Sequence, residues 1–312
     1  MDTIDTEDIN GTIREIWSDH YDFLKEKDDA FYYTEKAKKD KPKRPLATIF
    51  PFQYPRELKE DSLLLVGLCP SYPEKHLKDI GKDIGGNYYN DAIEALTLNQ
   101  GDLDSEKWRL VSKLEEYLRG VDEAGVLISV ENRQVEAHPY QKAVEHFWDD
   151  LKDLCKRMPV DANAGKPSHL PPLTFEFIDL FALRETNQKI LIPYLEIKDV
   201  EVYAHIESNF GKDQFKKVFL PLLNGLNPRV VVVINALASR IIRTHMKVEL
   251  SKDLDRDYGC HFVEVEGNQV PIFFSGMLSG QHALDKGSRE RLLWQISKVL
   301  TMDMPCLNPT LR

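Results

Sequence analysis

Three short segments of the chain carry polar groups next to apolar runs. Gly67 opens a small turn that continues to Tyr72, Asp179 lies near the end of a second apolar run, and a loop rich in serine and glycine leads to His282. A tight turn, a carboxylate and an imidazole can together line a polar pocket for a hydrogen-bonding ligand. The glycine spacing matches neither G-x-G-x-x-G nor a Walker A sequence, so it gives no support to a nucleotide-phosphate site.

The elements predicted around these segments alternate between strand and helix. Strands are expected at the apolar runs 63–66, 173–180, 229–235 and 270–274, and helices at 106–119, 140–157, 212–224, 236–245 and 287–300. This alternation predicts an α/β fold with three layers, αβα, around a central, mostly parallel four-stranded sheet. Ligands of such sheets bind beyond the carboxyl ends of the strands, so the three polar segments should converge there.

The first part of the chain has a different pattern. Apolar side chains recur at helical spacing over 9–36, and the stretch 38–45 is rich in lysine and proline. We therefore predict an N-terminal helical extension and linker over 1–45, followed by one α/β domain over 46–312.

Composition excludes several classes of protein. The sequence has no apolar run of about eighteen residues and begins with acidic and polar residues, which predicts a cytoplasmic protein without a membrane partner. Its four cysteines form no C-x2-C pair, so we expect no metal or iron–sulfur cluster. The net charge of −10 argues against coating nucleic acid by bulk electrostatics, but local basic patches remain available. One patch contains Arg229, Arg240, Arg243, Lys286, Arg289 and Arg291.

The order of the segments resembles the uracil-DNA glycosylase superfamily. Its members share a first strand, a G-x-x-P turn, a polar residue on a later strand and a serine-rich loop after the last strand. Gly67-Leu-Cys-Pro70 is similar to that turn, Phe177-Ile-Asp-Leu180 to the base-reading strand, and the loop from Ser275 to His282 to the final loop. The likeness spans residues 62–300. It implies a cofactor-free DNA N-glycosylase that flips and excises a damaged or modified pyrimidine.

The resemblance also implies which residues touch the substrate. The flipped base would contact Gly67, Cys69, Pro70, Ser71, Tyr72, Tyr88, Asp179 and Phe181. The surrounding DNA would contact Ser275, Leu278, Ser279, Gly280 and Arg289. Leu278 matches the apolar wedge that relatives insert into the duplex, and a simple packing leucine is the alternative.

The catalytic group departs from the family pattern. Many relatives carry Asp or Asn at the position of Cys69, and a thiol is a poor base for water unless its pKa is depressed. A small buried cysteine is the favoured interpretation of Cys69. We expect a carboxylate after the turn, Glu74 or alternatively Asp79 or Asp83, to assist cleavage, and His282 to donate to the leaving base. A surface histidine is the alternative for His282.

Two positions predict the substrate. Asp179 stands where uracil enzymes commonly carry Asn, and an ionised carboxylate suits the cytosine amine but repels uracil O4. Ser71 stands where the most selective uracil enzymes place a tyrosine against C5 of the base. Together they indicate a C5-modified cytosine, as in some bacteriophage DNA, and hence a role in phage defence or base excision. An alternative is that Asp179 merely caps the next segment.

Other interpretations stay open. A glycosylase-fold module that binds nucleic acid without cutting it would explain the missing Asp or Asn at Cys69. The chain is alternatively an ordinary uracil-DNA glycosylase. An unrelated flavodoxin-like or small-molecule hydrolase fold is favoured mainly by the acidic net charge.

Overall fold

The structure is a computed structural model that describes residues 3–37, 49–55, 57–70, 103–119, 139–157, 174–185, 188–200, 203–246, 248–249, 260–278 and 283–301. The strands are β1 Thr3–Asp5, β2 Phe50–Pro51, β3 Glu57–Lys59, β4 Leu63–Gly67, β5 Phe175–Asp179, β6 Leu183–Arg184, β7 Ile197–Val200, β8 Tyr203–Ile206, β9 Val230–Val233, β10 Val248–Glu249, β11 His261–Val265 and β12 Asn268–Phe274. The helices are α1 Glu7–Asp19, α2 Tyr21–Ala37, α3 Ser105–Arg119, α4 Pro139–Arg157, α5 Gln188–Leu195, α6 Asn209–Asp213, α7 Leu220–Leu226, α8 Ala236–His245 and α9 Lys286–Thr301, with a π-helical stretch Gln214–Phe219 joining α6 to α7.

The central sheet confirms the α/β class and the mostly parallel arrangement. In the described part of the chain its strand order is β10-β11-β12-β9-β4-β5. The four predicted strands are the parallel ones, because β4 pairs with β5 and β9, and β9 pairs with β12. The chain therefore runs outward from β4 to β5 and returns to β9 on the other side, which creates a crevice at the carboxyl ends of β4 and β9.

The predicted number of four strands is wrong. β11 and β10 extend the sheet beyond β12 in antiparallel pairing, which makes six strands among the described residues. β11 and β12 are joined by a tight turn in which Glu266 has φ 48° and Gly267 has φ 80°. Two positive φ angles match the type I′ turn of a two-residue hairpin. Glutamate is unusual at its first position, so this hairpin has only a weak signal in the sequence.

Helices cover both faces of the sheet. On one face, β4 residues Leu63 and Leu65 pack with α4 and α9. On the other face, Leu64 and Val66 belong to a larger cluster with residues of α1, α2, α3, α5, α6, the π-helical stretch, α7 and α8. The alternation of side chains along a strand assigns successive residues of β4 to opposite faces. None of the described helices combines the length and the apolar character that a membrane crossing requires.

The described N-terminal segment is helical, as predicted, and it packs into the main core. Ile13, Trp17 and Leu24 are buried in the same apolar cluster as the sheet residues Leu64 and Val66. β1 also pairs with β3, just before β4. The extension predicted for 1–45 therefore shares its core with the domain predicted for 46–312. The predicted linker, 38–45, lies outside the described residues.

Candidate functional site

The first predicted turn and the predicted base-reading strand meet at the carboxyl edge of the sheet. Gly67 ends β4 and lies opposite Asp179, which ends β5. A Cβ atom placed on Gly67 would overlap Asp179 Oδ1 and lie 2.9 Å from Phe177 Cζ. Such a clash cannot be accommodated without moving the carboxyl, so Gly67 is needed here for space. The two motifs singled out in the sequence are thus in direct contact.

The Asp179 carboxyl is buried without a hydrogen bond from the part of the chain that the structure describes. Asp179 is 4% exposed, and its interactions are desolvation and the charges of Arg184 and Glu115. A largely buried carboxyl that accepts no hydrogen bond from the described residues is available to a ligand or water. Burial raises the pKa of Asp179 to about 8, although the Arg184 charge lowers it.

This pKa bears on one premise of the substrate prediction, the charge of Asp179. Below about pH 8 the Asp179 side chain is mainly a neutral carboxylic acid, which donates one hydrogen bond and accepts others. The expectation of an ionised group that only accepts stays a prediction, and the raised pKa of Asp179 favours the neutral acid at neutral pH. A neutral acid can match the N3–H and O4 of uracil as well as the N3 and N4 amine of cytosine.

The segments that follow β4 and β5 are held together by backbone hydrogen bonds. The N–H of Phe181 donates to the carbonyl of Leu68 at 3.0 Å, and the N–H of Glu185 donates to the carbonyl of Pro70 at 3.0 Å. Cys69 Sγ donates to the carbonyl of Glu185 at 3.1 Å. These bonds fix the Gly67-Leu-Cys-Pro70 turn against the strand end that carries Asp179.

Cys69 behaves as a structural thiol. Its side chain is half-buried, and burial together with the Asp179 and Glu185 carboxyls raises its pKa well above the usual value. A thiol with a raised pKa is a weaker nucleophile and a slower source of thiolate. The interpretation of Cys69 as a turn residue is therefore favoured over a catalytic role.

An ion pair lies next to this turn and was not predicted. Arg184 donates from Nε to Glu115 Oε1 at 2.7 Å and from Nη2 to Glu115 Oε2 at 2.6 Å. Arg184 is 9% exposed and Glu115 is 1% exposed. The guanidinium also lies 5.3 Å from the centre of the Phe52 ring. A bidentate, buried pair of this kind fixes the orientation of both side chains.

Two further contacts anchor the segment that carries Asp179. Tyr54 donates from its hydroxyl to the Asp179 carbonyl at 2.8 Å. The N–H of Ala182 donates to Gln214 Oε1 at 3.1 Å. Gln214 is the first residue of the π-helical stretch, and such stretches frequently occur at functional sites. The strand end is therefore positioned by side chains from two other parts of the chain.

Phe181 is a core residue. It is 0% exposed and packs within the larger apolar cluster. Stacking on a flipped base requires an accessible ring face. The burial of Phe181 gives no support to that predicted role.

The predicted DNA-contacting residues that the structure describes lie after β12. Ser275 is half-buried, and its N–H donates to the Val233 carbonyl at 2.8 Å, which ties the start of the loop to the end of β9. Leu278 is half-buried and packs against the apolar cluster of α4 and α9. This packing agrees with the alternative interpretation of Leu278 and leaves its role as a wedge a prediction.

Arg289 lies in the first turns of α9 and forms an ion pair. Its Nη2 lies 2.6 Å from Asp150 Oδ2, and the two side chains are 32% and 52% exposed. Exposed pairs of this kind are weak and exchange readily. The pair leaves the predicted DNA contact of Arg289 chemically accessible.

Other predicted site residues lie outside the described residues: Ser71, Tyr72, Glu74, Asp79, Asp83, Tyr88, Ser279, Gly280 and His282. The predicted catalytic pair, Glu74 and His282, is among them. The described strand ends therefore bring together four predicted site residues: Gly67, Cys69, Pro70 and Asp179. The pair Arg184 and Glu115, which was not predicted, lies next to them. Within the same described ranges, no three His, Cys, Asp or Glu side chains form a group that could hold a metal ion.

Comparison with known proteins assigns the chain to no family. Neither the protein-family models nor the curated proteins match the sequence, and the solved structures give no match to the fold.

Proposed function

We propose that the protein is a DNA N-glycosylase that excises a flipped pyrimidine. The observation that carries the proposal is the Asp179 carboxyl, which is buried at the carboxyl end of a parallel strand without a donor from the described residues. Its position against Gly67 supports the resemblance of the two motifs to the turn and base-reading strand of uracil-DNA glycosylases. Pockets of parallel α/β sheets form at this edge.

The proposed base contact uses the neutral form of Asp179. Its O–H and C=O groups match an edge with one donor and one acceptor side by side, which every pyrimidine presents. A modified cytosine and uracil are therefore both candidate bases. Ser71 is proposed to determine which size of C5 substituent fits. Because Asp179 no longer repels uracil O4, an ordinary uracil-DNA glycosylase is a closer alternative than the sequence suggested.

The proposed cleavage step is hydrolysis. Water adds to C1′ of the flipped nucleotide, the C1′–N1 bond breaks, and the base leaves after taking up a proton. Glu74 is proposed to stabilise the oxocarbenium-like sugar, orient the water and take its proton, and His282 to donate a proton to the departing base. Cys69 takes no part in proton transfer, since burial raises its pKa.

The second candidate is a module that binds flipped bases without cutting. The structural role of Cys69, at the position where relatives hold Asp or Asn, favours this candidate. It keeps the same base contact at Asp179 and the same edge of the sheet. Formation of abasic sites separates the two candidates.

The test uses the purified full chain and three duplexes that contain uracil, C5-modified cytosine or only ordinary bases. Alkali-induced strand breaks report abasic sites. We expect breaks in one or both of the first two duplexes and none in the third. Glu74→Gln should lower the rate at least about a hundredfold, while the same exchange at the exposed Glu106 of α3 should leave it unchanged. Binding without breaks in any duplex would select the non-cutting module.

A further inference from the structure

Arg243 differs from the arginines that form ion pairs in the structure. Its side chain is half-buried, its Nε atom is buried without an acceptor, and it joins no ion pair among the described residues. The arginines with a carboxylate partner are Arg14 with Glu7, Arg109 with Glu106, Arg184 with Glu115, Arg229 with Asp61 and Arg289 with Asp150. A partly desolvated guanidinium that has no carboxylate partner among the described residues is available to bind an anion.

An aromatic side chain holds the Arg243 guanidinium in place. Its central carbon lies 4.2 Å from the centre of the Phe274 ring. The His261 ring packs edge-on against the same phenylalanine, with centroids 5.4 Å apart and planes at 79°. Stacking fixes the plane of the guanidinium and leaves its N–H edges free for bidentate contact, which is the geometry that phosphate oxygens favour.

The stacked arginine lies where the final loop begins. Phe274 is the last residue of β12 and pairs with Val233, the last residue of β9. The next residue, Ser275, is the first of the predicted DNA contacts. Arg243 therefore belongs to the same carboxyl edge as Asp179, three strands away from β5 in the sheet order.

The electrostatic surroundings favour an anion at this position. Burial and the Arg243 charge lower the pKa of His261, so the imidazole is neutral near pH 7 and can donate a hydrogen bond without adding charge. Arg240 precedes Arg243 by one helical turn on the same helix, α8.

We propose that the guanidinium of Arg243, stacked on Phe274, binds a phosphate group of the DNA backbone beside the flipped nucleotide. The assignment of this phosphate to DNA rests on the proposed function. A free phosphate or nucleotide would use the same chemistry. The DNA source is favoured because Arg243 lies at the start of the loop that is proposed to contact the duplex.

The test compares Arg243→Gln with Arg229→Gln. Arg229 precedes β9 at the opposite edge of the sheet and pairs with the exposed Asp61, so it serves as a control with the same change of charge. Binding of a fluorescent duplex is measured between about 50 and 200 mM salt. We expect Arg243→Gln to reduce the slope of log affinity against log salt by about 1, and Arg229→Gln to leave the slope unchanged.

A second variant separates the effect of the Arg243 charge from that of the guanidinium geometry. It also keeps the test informative if Arg243→Gln does not fold. Arg243→Lys keeps the charge but loses the planar fork and the stack, so it should keep most of the salt slope and lower affinity about tenfold. In parallel, inorganic phosphate is added to the free protein and the Nε–H resonance of Arg243 is followed by NMR. A saturable shift that is absent with chloride at equal ionic strength is expected.

Three results would overturn the proposal. Equal salt slopes for the wild type and Arg243→Gln would remove Arg243 from the DNA contact, while the abasic-site assay still decides the proposed function separately. A phosphate-dependent shift in a protein that binds no DNA would assign the site to a free phosphate and would count against the glycosylase as well. Absence of both the shift and DNA binding would leave Arg243 a packing residue.

Discussion

The two ends of the carboxyl edge of the sheet differ in how their charged side chains are compensated. At the end of β5, Asp179 is buried and mainly neutral, and the nearby Arg184 charge is matched by a bidentate bond to Glu115. At the end of β12, Arg243 is half-buried, stacked on Phe274 and without a carboxylate among the described residues. One end compensates its charges internally, whereas the other keeps a positive charge available.

This difference suggests a division of roles along the edge. A closed, neutral end recognises a ligand through hydrogen-bond pattern, because water is excluded and each donor must meet an acceptor. A cationic end recognises the backbone through charge, which carries no sequence information. We propose that the β5 end holds the base and the β12 end holds the strand from which the base is flipped.

The largest effect is expected from the buried ion pair at the β5 end. Glu115→Gln leaves the buried Arg184 without its carboxylate and should lower the free energy of unfolding by about 3–5 kcal/mol. The matched exchange in the exposed pair, Asp150→Asn opposite Arg289, should cost about 0–1 kcal/mol. Urea denaturation measures both. Similar losses in the two variants would contradict the burial of the Arg184–Glu115 pair.

The next effect concerns the space between the two motifs. Gly67→Ala puts a methyl group where Asp179 Oδ1 lies, so we expect a loss of about 1–3 kcal/mol in unfolding free energy and a displaced carboxyl. Gly11→Ala in α1 is the control, since its Cβ would meet only Arg14 Nη2 at 3.8 Å. That variant should be stabilised by about 0.5–1 kcal/mol. A neutral effect of Gly67→Ala in thermal melts would argue against the tight contact.

The third effect is the pH dependence that Asp179 gives to stability. Its pKa is about 8 in the folded protein, against an ordinary 3.8. The folded state therefore holds a proton that the unfolded state releases, and its stabilising contribution is full below about pH 4 and lost as the pH rises to about 8. Stability should therefore fall as the pH rises through this window. Asp179→Asn should flatten this part of the urea-denaturation profile, and an unchanged profile would show that Asp179 is ionised in the folded protein.

The smallest effect is expected at Cys69. Cys69→Ala removes the hydrogen bond to the Glu185 carbonyl and should cost about 0.5–1.5 kcal/mol. Because burial raises its pKa, the wild-type thiol should react with iodoacetamide more slowly at pH 8 than the thiol of an unfolded control. Rapid alkylation of the folded protein, read by mass spectrometry, would reopen a catalytic role for Cys69.

The sequence predicted the parallel part of the fold because its signals are local. The valine run of β9 and the helix α8 follow each other directly, and the observed α8 has the predicted bounds of 236–245. The β11–β12 hairpin was not predicted because the first positive φ of its turn is at Glu266. Asparagine or glycine at that position would have indicated the turn. Local patterns thus gave the strands, but not every turn between them.

The candidate site was predicted only in part, because its main feature is a long-range effect. Gly67 and Asp179 were singled out from their places at strand ends. The protonation of Asp179 depends on burial by distant segments, which no local pattern records. The pairing of Arg184 with Glu115 joins residues 69 positions apart, and an amphipathic helix gave no sign that Glu115 faces inward.

The most direct test of the account is the pH dependence of abasic-site formation by the wild type and Asp179→Asn on the same duplex. An asparagine amide donates and accepts at every pH, whereas Asp179 ionises above about pH 8. We predict that between pH 7 and pH 9.5 the wild-type rate falls about thirtyfold relative to the variant, as expected for ionisation of a single group with this pKa. Parallel profiles for the two proteins would contradict the proposed role of Asp179 in reading the base, and no abasic sites with any pyrimidine duplex would contradict the proposed cleavage.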